Sequence, residues 1–211
     1  MHIALLALSV LFLIAFYVAG TFVFNKNNPD DTYDIRNHFS FELWIKKGHQ
    51  GVFVDVFMLL SATIFAANYI LFSIKNFSVL NIFNAVLALL IAFSVISITY
   101  LPLSKLKERC ILSIILITGT TILNALEIYE SFTLIRQYEN NLLYIPLVIS
   151  AVIVIIGIIA IFYPKLFDFG MEKNEEGAMK RPSFFPLAFF EWLLIFTCLL
   201  SQTFIVIASI I

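Results

Sequence analysis

Charge is what this sequence has least of. Asp, Glu, Lys and Arg make up 13% of its 211 residues and hydrophobic residues 61%. A mean hydropathy of +0.98 lies far outside the range of a water-soluble domain. Cysteine is scarce too: Cys110 and Cys198 stand far apart in apolar surroundings with no CxxC or metal-ligand spacing, which argues against a disulfide framework or a zinc site. The three histidines, His2, His38 and His49, lie outside the apolar runs. They supply no intramembrane pair for a b-type haem and no partner for a membrane-embedded serine nucleophile. P-loop, GxSxG, HExxH and haem-attachment patterns are all missing. The expectation is a protein that is not an enzyme and carries no cofactor. Basic residues are dispersed over three connections with acids among them, so nucleic-acid binding has no support.

What the sequence has is long apolar runs. A hydrocarbon layer of about 30 Å needs roughly 20 helical residues to cross it, and runs of that length occur near 3–24, 53–74, 77–103, 110–130, 142–163 and 185–211. The fold class expected is therefore an all-α integral membrane protein: a compact bundle of six transmembrane helices forming a single transmembrane domain over 1–211, with the lipid bilayer as its first partner. The opening run follows Met1-His2 without a basic stretch and without a small-x-small cleavage site, so it reads as a retained helix and not a signal peptide. An abundance of Ile, Phe, Asn and Lys points to a bacterial plasma membrane as the location.

Basic residues fix the expected orientation, because short loops rich in Lys and Arg stay in the cytoplasm. The connections 25–52, 104–109 and 164–184 hold eleven of them, including Lys105, Lys107 and Arg109, whereas the other side holds only Lys75 and Arg136. Both termini should then face the extracytoplasmic side. In the first connection, Asn-Asn-Pro-Asp is turn chemistry, after which residues 31–47 suit a short helix lying among lipid headgroups, anchored by Trp44 with Lys46 and Lys47 against anionic lipid. The segment 165–183 reads as a solvated tether. Internal repeats are not evident, nor is a matched pair of interrupted spans of the kind common in carriers.

Turned at the helical period, the fourth run puts Ser113, Thr120, Asn124, Glu127 and Ser131 on one face, and the last run aligns Glu191, Cys198, Gln202 and Ser209. The second run lines up Asp55, Ala62, Ala66, Tyr69 and Ser73, and the third Asn81, Ala85, Ala88, Ala92 and Thr99. Small and hydroxyl-bearing faces of this kind suit close helix packing in lipid. The same stripes on helices four and six could line a polar path, with Thr120, Asn124, Glu127, Glu191, Cys198 and Gln202 as its candidate residues. By helical rise, Glu127 and Glu130 fall near the outer interface, Asp55 and Arg109 at the cytoplasmic one, and Glu191 beside an interfacial Trp192, all within reach of water. Asn124 is left as the intramembrane polar residue. Asp34, His38 and Glu42 recur every four residues and form a weak metal candidate, outweighed by a solvated interfacial helix.

Two functional expectations follow. One is a non-catalytic component of a larger membrane assembly such as a secretion or export system, partnered by other membrane proteins, or an immunity protein against a membrane-active toxin. The other is a small-solute or ion carrier, or the membrane-embedded binding subunit of an uptake system, working through the path between helices four and six. The sequence names no small-molecule ligand for either.

Overall fold

The computed structural model describes residues 1–29, 31–43, 50–101, 103–167, 172–173, 179–180 and 183–211. Within them it is helical apart from one antiparallel ladder of two-residue strands, β1 (Glu172–Lys173) and β2 (Met179–Lys180). The helices are α1 (His2–Asn27), α2 (Gln50–Lys75), α3 (Val79–Tyr100), α4 (Leu106–Tyr138), α5 (Tyr144–Phe162), α6 (Pro186–Cys198) and α7 (Thr203–Ala208). A 3₁₀ segment, Leu199–Gln202, joins α6 directly to α7, so the two make one continuous span. Six helices among the described residues are thus long and apolar enough to cross a membrane, the architecture of a multi-pass bundle.

Local chemistry sets the ends. Ser78 caps α3 by accepting a hydrogen bond from the Asn81 amide, and the Asn81 side chain donates back to the Asn76 carbonyl at 2.6 Å. That pair closes the tight hairpin between α2 and α3. Glu139 ends α4 in the left-handed region at φ 50°, and Pro186 occupies the first turn of α6, where its missing N–H costs nothing. Consecutive helices α1 to α5 pack each on the next, and the sixth span settles among α1, α2, α4 and α5. It is the most enclosed of the six, while α1 and α5 turn the most apolar surface outward. Gly157 permits the close approach of α5 to α4: a Cβ there would sit 2.0 Å from Thr121 Oγ1.

Three sequence expectations change. The fourth helix runs 33 residues, about 50 Å, well past the 110–130 span, because Ser131 to Tyr138 continue it without a breaker. The sixth span is interrupted at 199–202, where the sequence carries no proline or glycine to announce a break. The first connection is not a helix lying on the surface. The chain doubles back after α1, held by the Tyr33 amide donating to Asn25 Oδ1 at 2.8 Å, and makes a single 3₁₀ turn, Ser40–Leu43. Phe39, Leu43 and His38 are buried, and Leu43 fits against Gly20, where any Cβ would lie 2.9 Å from its Cδ1. Burial of these apolar side chains draws the loop into the bundle. Trp44, Lys46, Lys47 and His49 lie outside the described residues, as does most of the tether at 165–183.

Candidate functional site

The stripe on α4 is buried along its whole length: Ser113, Thr120, Asn124, Glu127 and Ser131 are each 0% exposed. Extended by one turn, it takes in Arg109, also 0% exposed. Three polar clusters hang on it.

At the end of the bundle that holds the first connection, Arg109 pairs with Glu191 of α6, and Ser113 Oγ donates to the same carboxylate at 2.7 Å. The guanidinium also donates to the carbonyls of Ile98 and Leu101, near the C-terminal end of α3, and lies 4.3 Å from the centre of the Phe39 ring. The carbonyl end of α3, the ion pair and the ring face all favour the cation there. Both side chains are enclosed by protein, so the expectation that Glu191 reaches water does not hold. Each meets its opposite charge inside the bundle. Trp192 is no interfacial anchor either: it is fully buried, its Nε1 donating to Tyr33 Oη at 2.8 Å and to the His38 carbonyl at 3.2 Å. Burial pushes the Tyr33 phenol well above the ordinary tyrosine range.

The metal candidate residues are engaged elsewhere. Asp34 accepts from the Arg36 guanidinium through both carboxylate oxygens, and that guanidinium holds its carboxyl below the usual range. His38 Nε2 meets Asp31 at 3.3 Å, and Glu42 accepts from the Phe39 amide at 2.8 Å. Among the described residues no three His, Cys, Asp or Glu side chains gather as a metal site.

In the middle of the bundle, Gln202 of the 3₁₀ segment donates to Ser9 Oγ at 2.9 Å and accepts from Asn68 Nδ2 at 2.8 Å. Asn68 Oδ1 accepts in turn from His2 Nδ1 at 2.6 Å. Beside this chain, Glu127 meets the Tyr69 hydroxyl at 2.5 Å and accepts from Ser150 Oγ at 2.9 Å. Tyr69 continues to Ser201 Oγ at 2.8 Å, and Ser201 donates to the Cys198 carbonyl at 2.6 Å. Glu127 is therefore not a solvated helix end but the junction of α2, α4, α5 and the broken span. Asn124 is indeed internal, donating to the Thr120 carbonyl of its own helix at 2.9 Å. Its Oδ1, like Thr120 Oγ1 and Ser131 Oγ, has no hydrogen-bond partner among the described residues.

The stripes of α4 and of the sixth span are thus bonded at Arg109 and Ser113 with Glu191, while Tyr69 of α2 stands between Glu127 and Ser201, which lies beside the stripe. Asn124 and Gln202 do not meet. The thiol of Cys198 is buried and contacts the Ile195 carbonyl at 3.4 Å. It lines, with Leu13, Met58, Ser61 and Ile91, an internal void of about 10 Å³, no larger than one water. Small residues on α2 and α3, Ala62, Ala66, Ala85, Ala88 and Ala92, are buried as the packing reading requires.

The third cluster opens outward, at the end of the bundle that carries both termini. A cleft of about 400 Å³ lies between the α2–α3 hairpin, the last turns of α4, and α7. Phe72, Tyr129, Tyr138 and Phe204 contribute rings to it, and Glu130 is the charged side chain among its lining residues. Asn84 of α3 holds Glu130 in place, donating from Nδ2 at 2.8 Å. The turns of α4 beyond residue 130 build one wall of it, through Thr133, Leu134 and Tyr138.

Sequence reasoning missed Arg109, Tyr69, Asn68, Ser150 and Glu130 as site residues. Arg109 had a signal, since it lies four residues before Ser113 on the same stripe, but its place in a basic cluster led it to be counted as a loop charge. Asn68 and Ser150 had none, because single polar residues in apolar helices do not declare which neighbour they face. The chain matches no family model, and it matches no curated protein and no solved structure.

Proposed function

We propose that the chain is a non-catalytic, membrane-embedded binding component for a small organic cation, acting as a carrier or as the binding subunit of an uptake system. The observation that carries this reading is the cleft: its volume falls in the range of small-molecule sites, and its lining combines one carboxylate with four aromatic rings. An ammonium group on an apolar body satisfies both features at once, by ion pairing to Glu130 and by cation–π contact with the rings. An anion finds no basic side chain there. The charge asymmetry of the connections supports an extracytoplasmic opening for the cleft, so that solute would enter from outside the cell.

The test uses the purified full chain in mild detergent and a panel of alkylammonium and arylalkylammonium ions, each with a neutral isostere. Cations should raise the melting temperature, neutral isosteres should not, and Glu130→Gln should remove the difference. Equal shifts from both members of a pair, or a cation effect untouched by Glu130→Gln, would refute the reading. A binding subunit will co-purify with the protein that completes it, whereas a carrier will transport its cation alone in vesicles. A cysteine placed at Asn174 should react with an impermeant thiol reagent only once the cytoplasmic face is opened. Labelling in intact cells would reverse the orientation.

A further inference from the structure

Counting protons along the Glu127 chain leads to a second site, independent of what the cleft binds. Four groups stand in line: the Glu127 carboxyl, the Tyr69 hydroxyl, the Ser201 hydroxyl and the Cys198 carbonyl, separated by 2.5, 2.8 and 2.6 Å. Three contacts of this length need three protons, one in each. Tyr69 and Ser201 supply two. The Cys198 carbonyl supplies none, and Ser150 commits its own proton to the other carboxyl oxygen. The third proton must sit on Glu127. If it is absent, Tyr69 turns its hydrogen to the carboxylate, and either the Tyr69–Ser201 or the Ser201–Cys198 contact is left as two oxygens facing without a hydrogen. The surroundings agree. Glu191 has Arg109 as its counter-ion, whereas the described partners of Glu127 are neutral hydroxyls, and a buried carboxylate without a cation is expensive.

We infer that Glu127 is a proton-binding site, and that its proton ties the 3₁₀ break of the sixth span to α2 and α4. Occupied, it completes the hydrogen-bond chain from α4 through Tyr69 to Ser201. Vacated, it takes the Tyr69 hydrogen away from the broken span, whose 3₁₀ turn is the kind of element that serves as a hinge. The titratable groups that act on it among the described residues are Tyr69 from α2 and, one turn along α4, Glu130; Ser150 of α5 adds a neutral hydroxyl, Cys198 of α6 faces Tyr69, and the neutral Asn84 of α3 binds Glu130. Ionisable residues enclosed in a membrane bundle mark functional sites, proton relays among them.

Infrared difference spectroscopy on the purified full chain tests this directly. A protonated carboxylic acid has a carbonyl stretch distinct from that of a carboxylate or an amide. At neutral pH the wild type should show that band, lose it on alkalinisation, and lack it in Glu127→Gln. Tyr69→Phe should keep the band but shift it, because the acid loses a hydrogen-bond partner. Glu127→Gln should melt at the wild-type temperature, since its amide donates where the acid did. A neutral-pH spectrum identical in wild type and Glu127→Gln would overturn the proposal. So would a band that Glu130→Gln alone removes.

Discussion

Replacing Arg109 with methionine is the sharpest test of how the closed end of the bundle is held. The substitution keeps length and apolar bulk but removes the cation from Glu191, which is 0% exposed and retains, among the described residues, the Ser113 hydroxyl at 2.7 Å. Removing one partner of a buried ion pair costs about 3–5 kcal/mol, mostly through the charge left behind. Two donor bonds to the carbonyls at the end of α3 and the stacking on Phe39 go as well. Each of those contributes about 0.5–1.5 kcal/mol. The folded-to-unfolded ratio should therefore fall by roughly two to three powers of ten or more, at about 1.4 kcal/mol per factor of ten. Adding Glu191→Gln should restore much of that loss, because the stranded charge is then gone and the amide still accepts from Ser113. The assay is reversible unfolding in mixed micelles for wild type, both singles and the double, closed as a thermodynamic cycle. A single Arg109→Met loss below about 0.5 kcal/mol, the scale of an exposed pair, would show that water reaches the site and that the placement of Arg109 and Glu191 inside the bundle is wrong. A double variant no better than Arg109→Met would show that packing around the guanidinium, and not its charge, carries the cost.

Two further outcomes follow from close contacts. Gly157→Ala should destabilise the chain by about 1–3 kcal/mol through overpacking, since its Cβ would displace Thr121 Oγ1 from its 2.7 Å bond to the Ile117 carbonyl; combining it with Thr121→Ala should recover most of the loss in the same unfolding assay, and failure to recover would place the contact elsewhere. Tyr33 is raised above the ordinary tyrosine value of 10.0 chiefly by burial. The native state therefore keeps a proton that the unfolded chain releases, and this contribution is intact below about pH 10 and lost as pH rises through the folded value. Trp192 fluorescence should report the first connection loosening in strong alkali, and an identical alkaline limb in Tyr33→Phe would exclude Tyr33 as the cause.

The number of spans was readable because hydrophobic length is a property of consecutive residues, and the α4 stripe because a helix repeats on a fixed angle. Both are local. Exposure was misjudged wherever it depended on a partner from far along the chain. Arg109 and Glu191 are 82 residues apart, and each alone resembles a headgroup charge. Glu127 looked like a helix end because the apolar run was assumed to stop with the bilayer, yet Ser131 to Tyr138 carry the helix on. The interruption at 199–202 was unreadable, because Leu-Leu-Ser-Gln contains no breaker; there the broken span is held by Tyr69, Asn68 and Ser9 of other helices, which the local sequence does not record.

The sixth span sits at the centre of the bundle, and this bears on how the chain comes together as it is made. Five hydrophobic segments leave the ribosome before the one that will occupy their middle. Until it arrives, Ser9, Asn68 and Tyr69 have no Gln202 or Ser201 to meet, so the central polar contacts of the bundle can close only after the last span has been made.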